Sequence, residues 1–116
     1  MDTLVLANSQ PHDEKWLSEV RQTILELLEA GKVTIAALAE KMNISERQFY
    51  RRINAYTGHT PNTMIQNIRL ERANQLLEQR KYATVKEVAY AVGFQRSDYF
   101  SRLFFTRYGK RPVDFL

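Results

Sequence analysis

The 116-residue sequence predicts an all-α fold made of two helix-turn-helix units joined by one long helix. Three observations carry that reading. Residues 34–61 are echoed by residues 84–112. Apolar residues recur at the three- and four-residue spacing of helices, and no stretch alternates as a strand would. Between the two copies a long apolar pattern opens on Thr60-Pro61, a cap followed by proline at the first helical position.

Taken in order, residues 1–12 (MDTLVLANSQPH) are short and mixed, and read as a linker or cloning remnant before a single domain over 13–116. Leu17, Val20, Ile24, Leu27 and Leu28 then share one helical face, and Gly31 stops a first helix of about 14–30. Thr34 caps a short helix over IAALAEKM, and Asn43-Ile44 makes a tight turn. Ser45-x-x-Gln48 is a capping box, in which hydroxyl and amide satisfy each other's backbone N–H groups. The helix it opens runs to about Tyr56 and ends at Gly58, so the first unit covers 34–57. The long helix follows over 61–80. Met64, Ile65, Ile68, Leu70, Ala73, Leu76 and Leu77 cover about 240° of it, where a one-sided surface helix needs roughly 100°; both flanks must be covered. Arg69 and Arg72 fall inside that arc, so their stems are expected to pack there and their heads to pair with carboxylates or helix ends. Thr84-x-x-Glu87 is a second capping box, Gly93 breaks its helix, and a last long helix over 97–108 stops at Gly109. The second unit therefore covers 84–109, and Pro112 starts a short final turn.

Matching Thr34, Leu38, Ala39 and Ile44 to Thr84, Val88, Ala89 and Phe94 gives an offset of 50, whereas Phe49, Arg51, Gly58 and Pro61 match Phe100, Arg102, Gly109 and Pro112 at 51. One residue has been added between the two helices of the second copy. Centred on Phe49, the second helix of the first copy turns Ile53, Arg52 and Tyr56 inward and Arg47, Tyr50, Arg51 and Asn54 outward. Centred on Phe100, its counterpart turns Leu103, Phe104 and Arg107 inward and Asp98, Ser101, Arg102 and Phe105 outward. The outward sets suit major-groove edges: Arg is bidentate to guanine, Asn to adenine, and Asp accepts from cytosine N4. Phe94, Phe100, Leu103, Phe104 and Tyr108 are expected in the core rather than as stacking platforms.

Charge supports a polyanionic partner. Residues 1–33 hold six acids and three bases, and residues 34–116 seven acids and fourteen bases. The basic part is the duplicated part. Lys110 and Arg111 follow the last glycine, where a loop and helix start can meet phosphate, and Ser45, His59 and Thr60 are the phosphate candidates of the first unit. Other classes lose support. The chain has no cysteine, which excludes disulfides and thiolate sites. No apolar run reaches the length of a membrane span, and Met1–Gln10 lacks the pattern of a signal peptide, so a cytoplasmic location without membrane contact is expected. His12 and His59, the only histidines, have no carboxylate cluster near them in sequence. No metal, no cofactor and no enzyme activity is expected. The competing class is a helical protein–protein interaction module that uses the same basic faces.

The segments LAEKMNIS, GHTP, IRLERANQLL, VKEVAYAVGF, YFSRLF and YGKRP together resemble the DNA-binding domain of the AraC/XylS family of bacterial transcription regulators, over about residues 14–115. The resemblance implies a homeodomain-like arrangement of about seven helices that binds double-stranded DNA in adjacent major grooves as a transcription activator, usually appended to a sensing domain. It places base-reading positions on Arg47, Tyr50 and Arg51, and on Arg96, Ser97, Asp98, Ser101 and Arg102. RNA polymerase is the implied partner of the intact regulator, and the fragment itself is expected to be monomeric. The form ISERQFYRRINAYTGHTPNTMIQNIRLERA, with DEKWL ahead of it, is similar to output domains of hybrid two-component sensors, which would make Met1 an excision point. Two positions depart from the family pattern: Arg96 stands where an acidic or small residue is usual, and Phe105 where a lysine or other polar residue is. A helix of about 20 residues spans ~30 Å, close to the ~34 Å between successive major grooves. One rigidly spaced, non-palindromic site is the expectation.

Overall fold

The structure, a computed structural model, describes residues 11–116. Its elements are α1 (Pro11–Glu29), α2 (Ile35–Lys41), α3 (Glu46–Thr57), α4 (Pro61–Glu78), α5 (Val85–Ala91) and α6 (Ser97–Tyr108), followed by a 3-10 turn, Pro112–Phe115. No strand occurs among the described residues. Of the segment read as a linker, residues 1–10 lie outside the described residues, and Pro11 and His12 belong to the first turn of α1. Proline suits a first helical turn, where its missing N–H has no intrahelical acceptor, and Asp13 and Glu14 complement the positive end of the dipole. The helix therefore starts three residues before the expected Glu14.

By its contacts the chain divides into two units, Met1–Ile68 and Arg69–Leu116. In the first, Trp16, Leu17, Val20, Ile24 and Leu28 of α1 are buried with Leu38 and Ala39 of α2, Phe49 and Ile53 of α3, and Met64, Ile65 and Ile68 of α4. Trp16 was absent from the expected apolar face. It packs against Phe49 at 6.0 Å and edge-on against Tyr56 at 5.7 Å, with the Arg52 guanidinium 4.3 Å above its ring. The second unit buries Leu70, Ala73, Leu76 and Leu77 of α4 with Val88, Ala89 and Val92, and with Phe94, Phe100 and Phe104. Leu103 and Tyr108 are only partly buried against that core. The wide apolar arc of α4 thus has a simple cause, because its first half serves one core and its second half the other.

The repeat is reproduced element by element. α2 and α5 each have 7 residues, and α3 and α6 each have 12. After α2, Ile44 N–H donates to Ala39 C=O at 3.1 Å; after α5, Phe94 N–H donates to Ala89 C=O at 2.9 Å. Directly before each donor sits a left-handed residue, Asn43 at φ 59° in one copy and Gly93 at φ 92° in the other. Gly93 has a second constraint, since a Cβ there would lie 3.2 Å from Arg69 Nε. The extra residue of the second copy falls after Phe94, where Gln95 and Arg96 stand in place of Ser45.

The expected partners of the α4 arginines differ from those observed. Arg72 donates to the Gln75 side chain at 3.1 Å instead of to a carboxylate. The Arg69 guanidinium lies over the Phe94 ring at 6.0 Å, and its Nε has no hydrogen-bond partner. Burial lowers the Arg69 pKa below the usual guanidinium value. Arg69 packs instead against Gly93, 24 positions along the chain and just past the end of α5. α4 also ends two residues early, because Arg80 adopts φ 53° and Lys81 N–H closes back onto Leu76 C=O at 3.2 Å.

Candidate nucleic-acid interface

Both capping boxes form, and each sets where its helix begins. Gln48 N–H donates to Ser45 Oγ at 3.1 Å while Ser45 N–H donates to Gln48 Oε1 at 3.2 Å. Thr84 and Glu87 repeat the exchange at 3.1 Å in both directions. Gly58 ends α3 and Gly109 ends α6, both left-handed at φ 74° and 69°. With α3 capped at both ends and α6 at its C-terminal end, the aromatic anchor decides the rotation of each. Phe49 is 1% exposed and Phe100 is 0% exposed. Truncating a buried phenylalanine to alanine costs about 3–5 kcal/mol, so each helix is held firmly in its register.

That register turns the same positions to solvent in both copies. Arg47, Tyr50, Arg51 and Asn54 are all exposed. At about 100° per residue they occupy one arc of roughly 100° on the side away from Phe49. The equivalent positions on α6 are Asp98, Ser101, Arg102 and Phe105, of which Ser101 alone is half-buried. Phe105 does not fold inward; it is 54% exposed. Ser97, at the first position of α6, is half-buried and lies nearer the core side.

The arginines of the two copies differ in what they touch. Arg47 and Arg51 are exposed, and among the described residues no hydrogen bond, ion pair or ring contact engages either guanidinium. Arg102 lies 5.7 Å over the Tyr99 ring, which is itself 42% exposed and 6.3 Å from Phe94. Arg96 is engaged more tightly. Its Nε donates to Asp98 Oδ1 at 3.2 Å and its Nη2 to Asp98 Oδ2 at 2.7 Å. The shared hydrogen bonds hold the Asp98 carboxyl below the usual carboxylate range and raise the Arg96 pKa. Sequence spacing hides this pair, because residues i and i+2 do not face each other on a helix. Arg96 precedes the helix, however, with an extended backbone at φ −124° and ψ 119° that lets its side chain fold over the first turn. Tyr99 was also missed, and only its tyrosine hydroxyl, unlike the phenylalanines around it, hints at an exposed ring.

The phosphate candidates are unequal. Ser45 Oγ serves as a cap. Thr60 is half-buried; its hydroxyl accepts from Thr63 N–H at 3.2 Å and donates to Thr63 Oγ1 at 3.1 Å. His59 is exposed, with its backbone N–H on Thr57 Oγ1 at 3.0 Å. Lys110 is exposed with Nζ 6.0 Å over Phe115. Arg111 is paired with Asp114 at 3.1 Å, which holds the Asp114 carboxyl below its ordinary range. No group of three metal-ligating side chains exists among the described residues, and none of their helices is long and apolar enough to cross a membrane.

Three comparisons place this geometry among known proteins. A family model described as a helix-turn-helix domain matches residues 38–116. Histidine kinase P4 of Formosa agariphila is 31% identical over 103 residues, which are 89% of this chain and 7% of that protein. The HTH-type transcriptional activator RhaS of Escherichia coli is 35% identical over 85 residues, or 73% of this chain and 30% of its own. The chain thus spans less than a third of either relative. Among solved structures, the DNA-binding domain of AdpA, a global transcriptional factor in complex with a target DNA, is similar with a TM-score of 0.70 and 29% identity, covering 85% of this chain and 87% of that one.

Proposed function

The chain belongs to the AraC-type family of helix-turn-helix transcription regulators, whose domain binds double-stranded DNA in a sequence-specific way, and from that premise we propose which of its side chains do the reading. α3 and α6 are the two recognition helices, presented to adjacent major grooves of one duplex. Arg47, Tyr50, Arg51 and Asn54 meet base edges from α3. Arg96, Ser97, Asp98, Ser101 and Arg102 form the corresponding set at α6. Lys110 and His59 are the freest phosphate contacts, whereas Ser45, Thr60 and Arg111 would meet phosphate only beside the bonds they already make.

A single observation supports this reading most directly: the same four helical positions lie opposite a fully buried phenylalanine in both copies, all four exposed on α3 and three of the four on α6, where Ser101 is half-buried. A solvated surface needs no such coincidence. The likeness to a histidine kinase and to a transcriptional activator, of which the matched residues are 7% and 30%, supports a role as the DNA-binding output of a larger cytoplasmic regulator. In that setting RNA polymerase is its partner.

The fragment is expected to bind duplex DNA alone, with no metal or cofactor. Titration against a duplex selected in vitro, with and without chelator, checks it. Log affinity should fall with log salt at about −0.9 per phosphate neutralised. An acidic protein partner would win instead if no duplex bound even at low salt.

A further inference from the structure

We propose that Asp98 is the positioning residue for Arg96: the carboxylate holds one edge of the guanidinium so that the opposite edge meets a guanine in the major groove. The inference rests on the DNA-binding reading above. It goes beyond that reading by dividing two adjacent candidates into a reader and the group that aims it.

The hydrogen-bond inventory assigns the division. A guanidinium carries five N–H groups in a planar fork. Asp98 takes the one on Nε and one on Nη2, at 3.2 and 2.7 Å. Both protons of Nη1 and the second proton of Nη2 remain. They form the end edge of the fork, with two parallel N–H groups, which is the arrangement that guanine O6 and N7 accept. Both oxygens of Asp98 face the guanidinium, which leaves the carboxylate poorly disposed to read a base of its own.

Asp98 also lies in the first turn of α6, where its charge suits the helix dipole, but that role does not require Arg96. The side chains of the pair are 72% and 63% exposed, and exposed ion pairs add little to stability. Nor does Arg96 cap α6, since its side chain makes no capping hydrogen bond to the backbone of the helix start. What a bidentate contact does supply is orientation, and a side chain already held loses less freedom when it binds. Electrostatics favours keeping the pair in the complex. A bare carboxylate on a face turned to phosphates would be repelled, whereas one neutralised by its own arginine is not. The first copy has no such device, because its helix opens on the Ser45 cap and carries Arg47 at the place of Asp98.

The test uses the 116-residue chain and a duplex recovered by selection from a random library, together with duplexes in which each base pair is replaced in turn. Arg96→Ala should abolish a preference for guanine at one base pair. Asp98→Ala should weaken the preference at that same base pair by about three- to tenfold, within the ~5- to 150-fold of a full bidentate arginine–guanine contact. It should at the same time tighten binding to an unrelated duplex, because a negative charge has gone. Combined with Arg96→Ala, it should change no base preference further. A residue that merely supported the helix would instead lower the melting temperature and weaken all duplexes alike. The proposal is overturned if Asp98→Ala alters a different base pair, still alters preference when Arg96 is absent, or leaves the guanine preference intact. If the wild-type chain selects no duplex at all, the DNA-binding reading falls first and this inference with it.

Discussion

Arg51 and Arg102 occupy equivalent positions in the repeat, yet they start from different states. Arg51 is exposed and unengaged among the described residues, while Arg102 lies over Tyr99. Each is expected to read its own base pair, so Arg51→Ala and Arg102→Ala should relax preference at two different positions, each by about 1–3 kcal/mol. Binding to a panel of singly substituted duplexes measures this, and a uniform loss across the panel would reduce both arginines to phosphate contacts. The outward set was legible in the sequence because it follows from one anchor and the helical period: once Phe49 or Phe100 is placed inside, the remainder is arithmetic. The state of each side chain was not legible. Tyr99 under Arg102, Asp98 against Arg96 and Phe94 beneath Arg69 all depend on rotamers and on chain reversals that spacing does not encode.

The two recognition helices are alike in length and unlike in how they begin. α3 opens on a reciprocal capping box, whereas α6 opens on Arg96, which caps nothing. Stability should therefore be sensitive at one start and indifferent at the other. Ser45→Ala is expected to cost about 0.5–2 kcal/mol, the usual loss for a serine cap. A domain of this size shifts by roughly 4–8 °C per kcal/mol, so a thermal melt resolves the effect. Arg96→Ala should leave the melt unchanged while altering DNA preference, and an equal loss of stability from both substitutions would contradict this assignment of roles. Most elements were recoverable from caps and stops because these are local: Thr34, Ser45, Thr60 and Thr84 opened helices, and Gly58 and Gly109 closed them. The start of α1 was misplaced because Pro11 reads equally well as a linker residue or as a first helical turn. The end of α4 was misplaced because nothing in the local pattern marks Arg80 as left-handed.

At the scale of the whole chain, charge and repetition divide differently. Residues 11–68 carry seven acids and seven bases, but residues 69–116 carry five acids and ten bases, a net of +5. The basic excess thus belongs to the second unit, because the acidic α1 cancels the arginines of α3. Sequence-independent attraction to phosphate should come mainly from that unit, and Lys110→Ala should weaken all duplexes about equally while reducing the salt slope by about 1. Repetition has the opposite consequence. Both units carry a recognition helix on one polypeptide, so a single copy holds two readers of different composition, Arg-Tyr-Arg-Asn on α3 and Asp-Ser-Arg-Phe on α6. A two-fold dimer of simple helix-turn-helix proteins reads a palindrome because its readers are identical. One copy of this chain, with unlike readers, is expected to select a site without two-fold symmetry and to bind it one to one. Sequencing of the selected duplexes tests the symmetry, and sedimentation of the complex tests the stoichiometry. A palindromic site occupied by two copies would show that the units act through dimerisation rather than as a pair within one chain.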